Sequence, residues 1–401
     1  MSLFLSVVPV SEAVATVHRL SGQVPEETVP LAEACGRVLA ADVHADVDIP
    51  GFTRSVMDGY AVRAADTTGA GDAVPAMLTL RGRILMGKTA DRPVKPGECI
   101  YIPTGGILPE GTDAVVMAEN TEPFGDEILV KKAVAHNENV IQYNEDFKKG
   151  EAVLSQGRRL SAQDVGVLAA VGCADVTVTR RPKIGILSTG NELVPVTDIP
   201  MIGQVRDVNS YVIAAFVRDH GCTPVTYGIV RDDRATFTGA LALAVGECDA
   251  VLISGGSSKD DRDMAAAVIA ERGKVLIHGV AIAPGKPTII GKCGTVPVIG
   301  LPGHPAATFI VLVAIVRHLL DDMTGSAAPE PVTVTAKLAM NVPSTKGRED
   351  YIRVFVKDGI ATPLFGKSGL LNTLAKSNGV IRVPAESEGI ETGREVEIIL
   401  W

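Results

Sequence analysis

Between Lys183 and Val316 the chain alternates short apolar runs with stretches of helical periodicity, and this alternation limits the fold more than any other feature. Lys183 to Leu187 reads as a buried strand, and a helix is expected after Asn209-Ser210. A strand follows through Val225 to Val230, a helix around Ala235 to Val245, and a strand from Ala250 to Ser254. Another helix is expected after Asp263, then strands near Val275 to His278 and Val296 to Ile299, and a helix after Pro305. Such alternation predicts a parallel sheet joined by right-handed helical crossovers.

The flanks follow other rules. Ser11 is expected to cap a helix running to Leu20, with Val14, Val17 and Leu20 on one face. A second helix is expected over Leu31 to Leu39, then extended chain from Ala41 to Ile49, broken by Pro50-Gly51. From Asp58 to Val140 the pattern is of short strands, such as Cys99 to Ile102 and Ala114 to Met117, parted by turn residues. Ala162 to Val171 reads as a helix ending at Gly172. Beyond Ser326 the helices stop. Val332 to Leu338, Tyr351 to Val356, Val380 to Val383 and Val396 to Leu400 predict a small all-β domain.

The net charge of −9 argues against nucleic acid or an anionic membrane as partner, since both repel an acidic surface. A protein of that charge can bind an anion only by gathering cations locally. The six cysteines are scattered without metal-ligand spacing, so reduced free thiols in a cytoplasmic protein are expected. The start has no basic region before its apolar residues, hence no export signal is read there. The longest apolar stretch, Ala306 to Val316, is too short to cross a bilayer.

In open α/β sheets ligands bind beyond the carboxyl ends of the strands. Three strand ends here carry glycines, the first two with hydroxyls as well: Ser188-Thr189-Gly190-Asn191-Glu192, Ser254-Gly255-Gly256-Ser257-Ser258 and Gly300-Leu301-Pro302-Gly303-His304-Pro305. The glycines of the middle one let backbone N–H groups approach a phosphate. The carboxylates that follow would repel it unless a Mg²⁺ ion lay between, and Asp232 with Asp263 is the candidate pair. Helix capping is the plainer use of each Asp. Ala283-Pro284-Gly285-Lys286-Pro287 is a stiff turn that aims a lysine. His304 reads as a cap-region side chain, with no His partner for metal binding in sight.

Ser55-Val56-Met57-Asp58-Gly59-Tyr60-Ala61-Val62-Arg63 cannot be interpreted from spacing, but it resembles the signature of the MoeA family, which includes the E domain of gephyrin. The resemblance continues in order through Pro103-Thr104-Gly105-Gly106, Pro109 to Val116, Asn144-Glu145-Asp146, Ser188 to Leu193, Ser254-Gly255-Gly256, Pro284 to Pro287 and Gly300 to Gly303. It implies a multidomain α/β protein. The parts would be an N-terminal helix region (1–26), an elongated dimerisation domain (27–45 and 147–180) and an inserted β-rich lobe (46–146). A parallel-sheet, MogA-like molybdopterin-binding domain (181–326) and a C-terminal β-barrel (327–401) would complete the chain.

The activity implied is Mg²⁺-dependent insertion of molybdate or tungstate into the dithiolene of adenylyl-molybdopterin, with release of AMP. A homodimer is implied, its cleft shared between the α/β domain of one chain and the lobe of the other. Contact with the upstream adenylyltransferase is a further expectation. The resemblance gives catalytic roles to Asp58, Thr104, Asp146, Glu192 and Lys286, and the metal to Asp232 and Asp263. Substrate binding falls to Ser188, Thr189, Gly190, Ser254, Gly255, Gly256, Ser257, Pro302, Gly303 and Pro305, with Arg353 and Ser368 from the C-terminal domain holding the oxyanion. Ala283, His304, Ala307 and Asp260 depart from the family's usual residues near the anion site. A gephyrin-like scaffold, or a paralogue that binds nucleotide without transferring metal, is the alternative.

Overall fold

The computed structural model describes residues 7–255, 259–327 and 332–401, with the side chains of 259–263 outside that description. Its centre is a six-stranded sheet in the order Thr223–Val230, Lys183–Thr189, Ala250–Ser254, Val296–Leu301, Ile289–Cys293, Lys274–His278. The first four strands pair in parallel. The last two pair antiparallel. The all-parallel expectation therefore fails at one edge. Gly294 turns Ile289–Cys293 straight back into Val296–Leu301, which leaves no room for a crossover helix.

Side chains alternate across the parallel strands, as a period of two requires. Ile184, Ile186 and Leu252 face the helices Asn209–Asp219 and Pro305–Val311 and the N-terminal helix. Leu187, Val251 and Ile253 face Phe237, Leu241, Val268 and Ile269 on the other side. Each fully buried aliphatic side chain contributes about 1.5–3 kcal/mol of hydrophobic stabilisation, so two covered faces make this sheet the rigid platform of the molecule. The apolar stretch after Pro305 is a buried helix, continued through a π-helical segment Leu312–Val316 into Arg317–Thr324. Among the described residues no helix is long and apolar enough to cross a membrane.

The N-terminal helix is Val10–Leu20, with Pro9 at its N-cap. Ser11 lies inside it, so the expected cap is displaced: Pro9 cannot donate an N–H and suits the entry to a helix. The helix expected over Leu31 to Leu39 is only a single 3₁₀ turn, Leu31–Glu33. The backbone N–H groups of Gly36, Leu39 and Ala40 instead reach Leu160, Arg158 and Thr177 of the returning chain. Glu26–Pro30 pairs with Asp175–Thr179, and Val43–His44 with Ala152–Leu154, so these two distant segments form one unit. The chain between them is an inserted lobe with its own six-stranded sheet, and Val62, Leu78, Val116 and Ile128 lie in its core.

In the C-terminal part, Glu349–Lys357, Ile360–Pro363, Thr333–Leu338, Glu395–Leu400 and Gly379–Val383 close on themselves through the pairing of the first with the last, giving a five-stranded barrel. A short strand from the α/β part, Ile282–Ala283, adds to the barrel beside Glu349 and Asp350. That pairing fixes the barrel against the platform.

Candidate functional site

Register across the sheet sets the site. Thr189 lies level with Val230, Ser188 with Ser254, and Ser254 with Leu301. Four loops therefore leave the platform side by side. Strand Lys183–Thr189 sits between its successors in sequence, one on each side, so the chain switches direction here and opens a crevice at the carboxyl ends.

Asp232 ties two of these loops together. Thr189 Oγ1 donates to its Oδ1 at 2.5 Å, and the Asn191 N–H donates to its Oδ2 at 3.0 Å. Helix capping falls to its neighbour: Asp233 accepts from the Thr236 N–H at 2.8 Å and caps Arg234–Glu247. Asp232 is thereby released from the plainer role. The Glu192 carboxylate folds back over Gly190, where an added Cβ would lie 2.8 Å from Oε2. Gly190 itself has φ +154°, a backbone conformation that residues with a side chain rarely adopt.

Asn209 opens the helix behind the crevice and joins the other two loops, donating to Ser254 Oγ and to the Gly303 carbonyl, each at 2.8 Å. Its own Oδ1 is buried with no hydrogen-bond partner among the described residues, as is Ser188 Oγ. Buried orphan polar atoms are rare, and at a ligand crevice they suit a polar ligand. Sequence reading passed over Asn209, because an Asn at a helix start looks like a cap. A cavity of about 680 Å³ is lined here by Thr189, Glu192, Asn209, Ser254, Gly255, Gly303, His304 and Pro305.

A second cavity, of about 550 Å³, opens between the platform and the barrel. Gly255, Gly303 and His304 line both cavities, so the two adjoin. Lys286 enters the second from its turn, where the Val280 N–H holds the Lys286 carbonyl at 3.0 Å and Thr288 Oγ1 holds the Gly285 carbonyl at 2.7 Å. Gly285 is left-handed at φ +136°, and a Cβ there would come within 2.8 Å of Val311. Among the described residues no carboxylate forms an ion pair with Lys286. Pro302, Lys346, Arg348 and Ser368 share this wall. Arg348 Nε is held by Asp350 at 2.9 Å, and Lys346 Nζ by Glu388 at 3.1 Å. This is the local gathering of cations that an acidic protein needs to bind an anion.

Lys346 and Arg348 escaped the sequence reading because only the pairing of Ile282–Ala283 with the barrel brings their turn to Lys286. Arg353 does not line the cavity. It is buried in the barrel, where Nη2 donates to the Gly366 carbonyl at 3.1 Å and Nε and Nη1 lack partners among the described residues. Burial lowers its pKa from the ordinary arginine value. Through Gly366 it braces the loop that presents Ser368.

The remaining expected residues lie elsewhere in the chain. Asp58 Oδ1 accepts from the Thr104 N–H at 2.7 Å and from Thr104 Oγ1 at 3.0 Å, and those donors, with Arg83 adding a weaker pull, hold the carboxyl below its usual range. Asp146 is exposed at the neck of the lobe, its N–H bonded to Ile49. No residue of the lobe lines either cavity. Gly256, Ser257 and the side chain of Asp263 fall outside the described residues. The helix expected to follow Asp263 already begins at Lys259.

Three family descriptions match the sequence in order: "MoeA N-terminal region (domain I and II)" at residues 8–172, "Probable molybdopterin binding domain" at 185–322, and "MoeA C-terminal region (domain IV)" at 335–401. The molybdopterin molybdenumtransferase of Bacillus subtilis is 32% identical over 98% of this chain and 94% of its own. The chain belongs to the MoeA family. The molybdopterin molybdenumtransferase of a Nostoc species is 33% identical over 96% of this chain and 90% of its own. The crystal structure of a MoeA molybdopterin biosynthesis protein from Pyrococcus horikoshii superposes with a TM-score of 0.87 at 36% identity, covering 99% of this chain and all of that one. The MoeA fold so established is multidomain α/β, with a molybdopterin-binding platform and a closed C-terminal barrel.

Proposed function

We propose that this MoeA-family chain is a molybdopterin molybdenumtransferase of molybdenum-cofactor biosynthesis. The observation that carries the reading is the adjoining pair of cavities: a crevice at the switch point of an α/β sheet that holds the Thr189, Asn209 and Ser254 side chains, beside a cavity walled by Lys286, Lys346, Arg348, His304 and Ser368. The crevice suits adenylyl-molybdopterin, with backbone N–H groups near Gly255 for its phosphates and Asn209 for a polar edge. The cationic cavity suits molybdate or tungstate as the second substrate, and charge-assisted hydrogen bonds from Lys286 and Arg348 would orient it toward the dithiolene. AMP is the product expected to leave.

Mg²⁺ commonly uses one or two carboxylates together with substrate phosphates. Asp232 fits that need: it lies at the strand ends, and among the described residues each of its oxygens takes a single hydrogen bond. Asp263 would be the second ligand. The ion would neutralise charge on the phosphates. Glu192 is suited to orient water at the bond to be cleaved. Asp58 and Thr104 support a homodimer in which the lobe of a second copy closes the crevice, because neither lines it within one chain. Contact with the upstream adenylyltransferase would pass the intermediate on without release.

The test is reconstitution. Purified protein given adenylyl-molybdopterin, Mg²⁺ and molybdate is expected to form a cofactor that activates a cofactor-free molybdoenzyme. AMP release without such a cofactor would instead identify a paralogue that no longer transfers metal. No reaction at all would remove the enzyme reading.

A further inference from the structure

We propose that His304 is a positioning residue that sets whether the Ser368 hydroxyl can donate a hydrogen bond to the oxyanion, making anion capture by this cavity pH-sensitive. The inference rests on the oxyanion reading above.

His304 is the N-cap residue of Pro305–Val311, yet its side chain makes no cap. It reaches across to the barrel instead, where Nδ1 lies 2.8 Å from Ser368 Oγ. A second bond joins the same two segments: the Ala306 N–H donates to the Ser368 carbonyl at 3.1 Å. Ser368 is thus pinned by both backbone and side chain, and its hydroxyl stays on the wall shared with Lys286 and Arg348.

A hydroxyl has one proton to give and two lone pairs. When Nδ1 of His304 is bare, the Ser368 proton is drawn to it and lone pairs face the cavity. A tetrahedral oxyanion offers only acceptors, so it meets repulsion there. When Nδ1 carries a proton, Ser368 Oγ accepts from the imidazole and its own proton is free for the anion. Protonation of the ring guarantees the second state and adds a positive charge beside the anion. Histidine is the side chain whose ordinary charge change falls between about pH 5 and 8. Among the described residues, the other charged groups lining these two cavities are Lys286, Lys346, Arg348, Glu192, Arg206 and Asp207, with no second histidine.

The experiment is calorimetric titration with inorganic molybdate at about pH 6 and about pH 8, on the wild-type protein and on His304→Gln, His304→Ala and Lys286→Ala. Wild type is expected to bind about tenfold more tightly at the lower pH, the scale of one charge-assisted hydrogen bond. His304→Gln keeps a polar group without titration, and it and His304→Ala should each bind with nearly the same affinity at both pH values. Lys286→Ala should weaken binding at both and preserve the wild-type ratio. A wild-type ratio retained in both His304 variants, or equal wild-type affinity at the two pH values, overturns the proposal. Failure of the wild type to take up molybdate at either pH overturns the oxyanion reading itself.

Discussion

His318 is an imidazole whose pKa is lowered to about 4, first by burial and then by the nearby charges of Arg317 and His18. In the unfolded chain it takes its proton at the ordinary value of 6.5. Between those values the unfolded state holds more protons than the native one, so stability falls as pH drops through that window. His318→Phe should show a smaller loss of thermal stability from neutral pH down to about 4 than the wild type. Parallel pH–stability curves for the two proteins would refute this. At the same scale, Lys286, Glu192 and Ser254 were legible because turn chemistry and strand ends mark such residues locally. Asn209, Lys346 and Arg348 were not: each acquires its meaning from partners far along the chain, the last two from a strand pairing between separate domains.

Elements were legible wherever local signals agreed with tertiary demand. Arg234–Glu247 and Ala162–Ala170 both begin at capped residues within one position of the expected start. In the second, Ser161 accepts from the Asp164 N–H while Asp164 returns a bond to the Ser161 N–H, a complete capping box. Ser161→Ala should therefore lower the unfolding free energy by about 1 kcal/mol, read from urea denaturation. A loss near zero would mean that packing of Leu168 alone holds this helix. Leu31 to Leu39 went the other way. Its composition suits a helix, but its N–H groups find better partners across the fold, which a local reading cannot see. The antiparallel edge of the main sheet was missed for a related reason, since Ile289–Cys293 lies only two residues from the next strand and left no helix-sized gap to mark it.

At the scale of the whole molecule, the inserted lobe and the barrel meet different fates. The barrel is bonded to the platform through Ile282–Ala283, so Ser368, Arg348 and Lys286 form one wall within a single chain. The lobe keeps Asp58 and Thr104 together but contributes nothing to the two cavities of its own chain. The family signature singles out Asp58, while its chemistry has no reading from spacing at all. Mixing inactive Asp58→Ala with inactive Asp263→Ala subunits should restore part of the activity, because one crevice in each mixed dimer would be whole. Confirmed subunit exchange with no recovery would rule out the shared site. The deciding measurement is AMP release from adenylyl-molybdopterin followed against molybdate concentration, in wild type and Lys286→Ala. Saturable, oxyanion-dependent release is expected, with half-saturation in the variant raised about tenfold to a hundredfold, the worth of a charge-assisted hydrogen bond. Release that ignores molybdate, or an unchanged dependence in Lys286→Ala, would contradict this reading.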